Sequence, residues 1–135
     1  FASVPLMDEA AQNAFLARAN AYRIAPITRD YLTLWQQQPH FMALGFYRAG
    51  QPICEAVFTG TGESATLLTL YTRADYRRQG LARQLLEAAG TLLQQQGVMN
   101  VYTHIFRRNV PQVALMKRLG GAFVRTVTAL PGMDL

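Results

Sequence analysis

Apolar and polar positions follow two periods along this chain, one typical of helices and one typical of strands. The clearest helical pattern covers residues 81–93, where apolar side chains recur every three or four positions. An apolar stretch at residues 65–72 precedes it and predicts a buried strand. A short basic segment that contains Gly80 lies between the two. The centre of the chain therefore predicts a strand, a glycine-bearing turn and an amphipathic helix in succession.

The rest of the chain predicts short elements of both kinds. Helices are expected over residues 9–21, with Asp8 as a cap, over residues 28–35, which end before Pro39, and after Asn109. Strands are expected at residues 22–27, 41–47, 53–58, 98–106 and 122–127, with turns at residues 48–51 and 60–62. If residues 22–27 form a loop instead, we expect the first strand in a segment upstream of Phe1. The order β-α-β-β-β-α-β-α-β predicts an α/β fold, a mixed sheet with helices on both faces.

The basic segment before the central helix has the composition of an anion site. Backbone N–H groups at a helix N-terminus bind phosphate oxygens, and Gly80 permits a backbone with positive φ. The Gly-Lys-Ser/Thr of a Walker loop and the Gly-x-Gly-x-x-Gly of a dinucleotide site are both absent. Residues 77–82 are therefore predicted to cradle a phosphate group. A solvated turn between strand and helix is the alternative interpretation.

Two segments resemble the motifs of the GNAT superfamily of N-acyltransferases. Residues 72–82, Thr-Arg-Ala-Asp-Tyr-Arg-Arg-Gln-Gly-Leu-Ala, are similar to the family segment V-x-P-x-Y-R-G-K-G-x-G, which binds the coenzyme A pyrophosphate. Residues 109–120, Asn-Val-Pro-Gln-Val-Ala-Leu-Met-Lys-Arg-Leu-Gly, are similar to its N-x-x-A-x-x-L-Y-x-K-L-G-F segment. The likeness covers about residues 22–127. It implies a GNAT-like single domain with a mixed, mostly antiparallel twisted sheet. On this basis residues 1–20 are an N-terminal helical extension, 21–130 the acetyltransferase domain and 131–135 a tail.

The resemblance also implies acetyl-coenzyme A as cosubstrate, with no metal. By position, the Leu70 backbone N–H would point at the thioester carbonyl, with Tyr71 beside it, and Thr72 would pair with the pantetheine amides. The pyrophosphate would be held by the N–H groups of Gln79, Gly80, Leu81 and Ala82, with Arg77 and Arg78 nearby. Asn109 would cap its helix and touch the cofactor, or it would serve as a cap alone.

Two positions used for proton transfer in the family differ here. Met116 stands where many members carry a tyrosine that protonates the leaving thiolate, and a thioether cannot donate a proton. Thr66 stands where relatives often place a glutamate base. His104 is the first candidate to replace that base, because an imidazole titrates near neutral pH. Glu55, set among apolar residues, is the second. A packed histidine and an outward-facing glutamate are the alternative interpretations.

The resemblance therefore implies an acetyl-CoA-dependent N-acetyltransferase that moves an acetyl group from the thioester to a primary amine by direct attack. The acceptor is the amine of a small molecule or a peptide. A non-catalytic coenzyme A-binding sensor, or one half of a larger acyltransferase, is the alternative, because the tyrosine and the glutamate are missing.

Composition adds few constraints to this hypothesis. Cys54 is the only cysteine of the 135 residues, which excludes an internal disulfide and favours a cytoplasmic location. No apolar run approaches the roughly 20 residues of a membrane span, and the histidines and Cys54 lack metal-ligand spacing. The net charge of +5 suits an anionic cofactor, and a nucleic-acid partner is not expected because no recognition module is visible. The sequence leaves a homodimer possible.

Overall fold

The computed structural model describes residues 2–4, 6, 8–20, 27–103 and 110–119. The chain divides into two compact units, Phe1–Tyr102 and Thr103–Leu135. The second unit includes α4 (Val110–Arg118), the helix predicted after Asn109. The elements before it are β1 (Ala2–Ser3), α1 (Glu9–Asn20), α2 (Arg29–Gln36), β2 (Met42–Arg48), β3 (Gln51–Thr61), β4 (Ser64–Thr72), a 3-10 turn (Ala74–Tyr76), α3 (Leu81–Gln95) and β5 (Asn100–Thr103).

One five-stranded sheet organises these elements, in the spatial order β1-β2-β3-β4-β5. The pairs from β1 through β4 are antiparallel, so the predicted mostly antiparallel α/β sheet is confirmed. Met99 and Asn100 donate their backbone N–H groups to the carbonyl of Glu63, which joins the start of β5 to the turn before β4. None of the described helices has the length and apolar character needed to cross a membrane.

Helices cover both faces of the sheet. All residues of β3 from Ile53 to Phe58 are buried, and because side chains alternate along a strand, both faces must be covered. On one face Phe15 of α1 and Leu32 of α2 pack in a cluster with Val57. The other face is covered by α3, which contacts β2, β3 and β4 and buries Leu85, Ala89 and Leu93.

Local chemistry sets the helix starts and the hairpin turns. The Ala11 N–H donates to Asp8 Oδ1 at 2.7 Å, and the Tyr31 N–H donates to Thr28 Oγ1 at 3.3 Å, so both α1 and α2 are capped as the sequence suggests. Ala49 and Gly50 have φ of 51° and 75°, the left-handed pair that suits a two-residue hairpin loop.

The turn of the second hairpin begins two residues later than predicted. Gly60 lies within β3, and the turn itself is at Gly62 and Glu63. A Cβ on Gly60 would lie 2.3 Å from the Ser64 carbonyl oxygen, so the glycine serves a close approach of two strands.

The first strand of the sheet comes from a part of the chain that the sequence pattern did not mark. Ala2 and Ser3 pair with Gly45 and Leu44 of β2, ahead of both helices. Two residues are too few to show an alternating pattern. Of the predicted strand at 22–27, only Ile27 is described, and it lies outside any strand. Residues 104–106 and the predicted strand at 122–127 lie outside the described part of the chain.

Candidate functional site

The last three residues of β4 are predicted to contact the cofactor, and their side chains lie on opposite faces of the sheet. Leu70, Tyr71 and Thr72 pair with Ala56, Glu55 and Cys54 of β3. Directly paired residues share a face, so the Tyr71 side chain lies on the side of Glu55, and those of Leu70 and Thr72 lie on the other. Thr72 Oγ1 is 3.5 Å from Cys54 Sγ on that second side.

A β-bulge precedes these residues. Val57 pairs with Thr69 and the next residue, Phe58, pairs with Leu67, so Leu68 is an extra residue in β4. Such an insertion bends the strand and alters the direction of neighbouring backbone groups. The bulge lies two residues before Leu70, whose N–H is predicted, from the resemblance to the GNAT segments, to point at the thioester carbonyl.

The turn after β4 has the backbone geometry of an anion site. Arg78 and Gly80 have φ of 64° and 76°, and Gly80 is the N-cap of α3. No side chain caps α3, and its first turn contains no acidic residue. The N–H groups of Leu81 and Ala82 are therefore suited to an external anion, which the positive end of the helix dipole also favours.

Arginine side chains surround this turn. Arg77 Nε donates to the Thr72 carbonyl oxygen at 3.2 Å, which ties the turn to the end of β4. Arg73 donates to both carboxylate oxygens of Asp75, at 2.6 and 2.7 Å, and these hydrogen bonds lower the Asp75 pKa. The guanidinium of Arg73 also lies 4.9 Å from the Tyr76 ring centre, and that of Arg48 lies 5.9 Å from it. The turn therefore combines free backbone donors with local positive charge.

Glu55 is a buried, ion-paired residue, so the alternative of an outward-facing glutamate is wrong. Its side chain is 1% exposed, and Arg18 of α1 donates from Nε at 3.0 Å and from Nη2 at 2.5 Å to its two oxygens. Both oxygens are thus engaged by one guanidinium. Sequence reasoning missed Arg18, which lies 37 positions away in the chain, and no local pattern links the two residues.

Tyr47 and Gly45 complete the surroundings of this ion pair. The Tyr47 hydroxyl is buried and has no hydrogen-bond partner among the described residues. Burial raises the Tyr47 pKa, the Glu55 charge raises it further, and Arg18 opposes both. A Cβ on Gly45 would lie 2.9 Å from the Cys54 carbonyl oxygen and 3.4 Å from both Glu55 Cγ and Tyr47 Cε2. Glycine at this position therefore provides the space that Glu55 and Tyr47 occupy.

Five further residues considered from the sequence lie partly within and partly outside the described residues. His104 and Asn109 lie outside the described residues, and Met116 is a partly buried residue of α4. Cys54 is fully buried, and burial raises the pKa of its thiol, so it lacks the properties of a nucleophile. His40 is buried between Gln96 Oε1 at 3.1 Å and the Gly62 carbonyl oxygen at 2.7 Å. In the described part of the chain, no three metal-ligand side chains come together.

Comparison with known proteins identifies the family and the fold. The model of the acetyltransferase (GNAT) family matches residues 15–121. The structure is similar to that of the ribosomal-protein-S18-alanine N-acetyltransferase from Escherichia coli, at 21% identity and TM-score 0.78, over 98% of this chain and 86% of that one. It is also similar to a chain of the NatC complex bound to Gag peptide and CoA, at 16% identity and TM-score 0.77, over 98% and 91% of the two chains. An aminoglycoside N-acetyltransferase in complex with CoA gives 14% identity and TM-score 0.71, over 92% and 90%. No curated protein matches the sequence.

Proposed function

The chain belongs to the GNAT family of acetyltransferases and is an acyltransferase, and on this premise we propose that it transfers an acetyl group from acetyl-coenzyme A to a primary amine by direct attack. The uncapped, positively charged turn that follows a bulged strand carries the proposal. The acceptor is an amine of a peptide or a small molecule. Acetyl-coenzyme A supplies the acetyl group as an activated thioester.

In this proposal the chain holds the cofactor mainly by its backbone. The N–H groups of residues 79–82 bind the pyrophosphate, and Arg77 and Arg78 contribute positive charge. Thr72 pairs with the pantetheine amides beside Tyr71, and Asn109 also contacts the cofactor. The Leu70 N–H donates to the thioester oxygen, where negative charge develops during attack. Such a preorganised donor is worth about 3 kcal/mol.

The attacking amine must lose a proton. An amine with a pKa near 10.4 is only about one part in a few thousand neutral at pH 7, so a base or a water chain is needed. His104 is the first candidate for this base and Glu55 the second. Arg18 occupies one lone pair on each oxygen of Glu55, so that carboxylate acts as a base only through one of its remaining lone pairs.

The leaving thiolate must gain a proton. Met116 cannot supply it, because a thioether has no acidic hydrogen. We propose that water or another side chain takes this role. If neither does so efficiently, the protein binds the cofactor without rapid transfer, as the sensor alternative requires.

Calorimetric titration with acetyl-coenzyme A tests the cofactor site. Gly80→Glu places bulk and negative charge in the turn and should abolish binding. Gly62→Glu is a matched control, because Gly62 also has positive φ (65°) and open space around its Cα but lies at the opposite end of β4. We expect micromolar binding to the unaltered protein and to the control.

Three outcomes separate the hypotheses. Loss of binding in Gly80→Glu alone supports the cofactor site, and equal loss in Gly62→Glu contradicts it. Folded protein that does not bind acetyl-coenzyme A overturns the proposed function. Binding without transfer to any amine in a broad screen supports the sensor alternative.

A further inference from the structure

The α1-facing side of the sheet carries a polar group of residues, of which only Tyr71 is assigned to the cofactor. We call Arg18, Tyr47, Glu55 and Tyr71 the sheet-face cluster. Glu55 pairs directly with Tyr71 of β4, and Arg18 reaches it from α1. The cluster thus adjoins the proposed thioester-binding residues on the face opposite to the side chains of Leu70 and Thr72. Its chemistry bears on which amines can be acceptors.

The cluster has more hydrogen-bond donors than it uses. Arg18 carries five N–H donors, of which two bind Glu55, and its side chain is 22% exposed. The Tyr47 hydroxyl is buried without a partner in the described part of the chain. A buried polar atom left without a partner is costly, and an external oxygen would satisfy it. The cluster therefore suits a ligand that brings carbonyl or carboxylate oxygens.

An acceptor amine with several positive charges would need several free carboxylates to bind, and this chain has few. The chain has eight acidic residues, and Asp134 alone lies outside the described residues. Four are paired with arginine: Glu9 with Arg29, Glu55 with Arg18, Asp75 with Arg73 and Glu87 with Arg83. Asp8 caps α1, and the exposed Asp30 and Glu63 lie on separate elements, at the start of α2 and in the β3–β4 turn. No two free carboxylates in the described part of the chain therefore belong to one element.

The scarcity of an obvious base gives an independent reason to consider amine pKa. Thr66 stands where a glutamate base is usual, and Glu55 is held by Arg18, so His104 is left as the first candidate base. A peptide α-amine has a pKa near 8, so about a tenth of it is neutral at pH 7, whereas a lysine side chain is almost wholly charged. An imidazole has an ordinary pKa near 6.5, which lies closer to that of an α-amine than to that of a lysine side chain, so such a site favours the α-amine.

We infer that the acceptor is the N-terminal α-amine of a peptide with neutral or acidic first residues, whose oxygens accept hydrogen bonds from Arg18 and Tyr47. This inference rests on the proposed function and specifies its substrate. Polycationic amines, including aminoglycosides, are poor acceptors, because no element among the described residues carries two free carboxylates to compensate their charge and the chain itself has a net charge of +5.

The test compares three acceptors at pH 7 with acetyl-coenzyme A and the full chain. The first is a lysine-free hexapeptide with a free N-terminus and two glutamates. The second is the same peptide with a blocked N-terminus and one lysine, and the third is the aminoglycoside sisomicin. We expect kcat/KM for the first to exceed the other two at least tenfold. A higher value for sisomicin or for the lysine peptide overturns the inference.

Two variants test whether the cluster contacts the acceptor. Tyr47→Phe removes only the hydroxyl and should raise KM for the first peptide three- to tenfold, with little change in kcat. Arg18→Met with Glu55→Met replaces the ion pair by apolar side chains and should raise that KM further. Tyr31→Phe removes an exposed hydroxyl on α2 and is the matched control. Unchanged KM in both cluster variants, with native circular dichroism, contradicts the inference.

Calorimetry with acetyl-coenzyme A separates this inference from the proposed function. Cluster variants that bind acetyl-coenzyme A as the unaltered protein does, but have a raised peptide KM, support the acceptor assignment. Absence of acetyl-coenzyme A binding by the unaltered protein overturns both. Normal binding with preferred transfer to sisomicin keeps the proposed function and overturns the acceptor assignment alone.

Discussion

The basic turn before α3 and the sheet-face cluster both adjoin the last residues of β4, yet they are built differently. In the proposed function the turn uses the backbone N–H groups of residues 79–82; Arg78 and Gly80 have positive φ, and the residues at 77–80 are exposed. The cluster uses side chains from α1, β2, β3 and β4, and its central residue, Glu55, is buried.

This difference separates two ways of making a binding surface. Backbone donors persist when an exposed side chain changes, so the turn depends on conformation and on local charge. A buried charge depends on its partner, because solvent cannot replace the lost hydrogen bonds. Side-chain substitutions should therefore affect stability strongly in the cluster and weakly in the turn.

The largest effect should come from breaking the buried ion pair. Arg18→Met leaves the Glu55 carboxylate buried without its partner, and we expect a loss of about 3–5 kcal/mol in the free energy of unfolding. In the turn, Arg78→Met removes an exposed charge and should change that free energy by less than about 0.5 kcal/mol. Urea denaturation followed by circular dichroism measures both values.

The double variant Arg18→Met with Glu55→Met is the control for this comparison. Apolar residues of similar volume often replace a buried ion pair with little loss of stability. We expect the double variant to recover most of the stability that Arg18→Met loses. A double variant as unstable as the single one would show that packing around Arg18, rather than the charge of Glu55, sets the effect.

Replacing a glycine should lower stability in both regions, but for different reasons. Gly45→Ala brings a Cβ within 2.9 Å of a backbone oxygen and should cost about 1–3 kcal/mol through overpacking. Gly80→Ala meets nothing within 4 Å but must keep a φ of 76°, which costs about 1 kcal/mol.

Asparagine distinguishes these two causes. It tolerates the left-handed conformation, so Gly80→Asn should be more stable than Gly80→Ala. It is larger than alanine, so Gly45→Asn should be less stable than Gly45→Ala. Thermal unfolding of the four variants checks both orders, and the same order at both positions would contradict the assignment.

Added salt should weaken cofactor binding at the turn but should leave the stability contribution of the buried ion pair in the cluster nearly unchanged. Exposed charges are screened as ionic strength rises, whereas a buried pair is screened much less. Between about 0.05 and 0.5 M NaCl we expect acetyl-coenzyme A affinity to fall several-fold. The stability difference between the unaltered protein and Arg18→Met should stay nearly constant. Calorimetry and urea denaturation at both salt concentrations test this, and a large salt dependence of the stability difference would contradict a buried pair.

The smallest effect concerns Cys54, on the sheet face opposite the cluster. Burial raises its thiol pKa, so the unfolded chain loses the proton first as the pH rises. The contribution of the protonated thiol to stability is fully present below the thiol pKa of the unfolded chain. It is lost as the pH rises through the raised pKa of the folded protein. Stability should therefore decline less between pH 8 and 10 in Cys54→Ala. Equal declines in thermal unfolding scans would contradict the assignment.

Several elements of the fold followed from residues close together in the chain. Asp8 and Thr28 marked the starts of α1 and α2, the apolar period marked α3, and Ala49 and Gly50 lie in the predicted hairpin turn. Strand β1 was missed because Ala2 and Ser3 acquire strand structure only by pairing with β2.

In the candidate site, too, one part could be predicted from neighbouring residues and another depended on the tertiary structure. The turn around Gly80 was predictable because a helix N-terminus, its cap and its neighbouring charges are consecutive in sequence, and helix geometry places their backbone groups together. The partner of Glu55 and the burial of Tyr47 depended on the tertiary structure. Only the packing of α1 against the antiparallel strands brings Arg18 to a carboxylate 37 residues away, and only that packing removes the solvent that would otherwise solvate the pair.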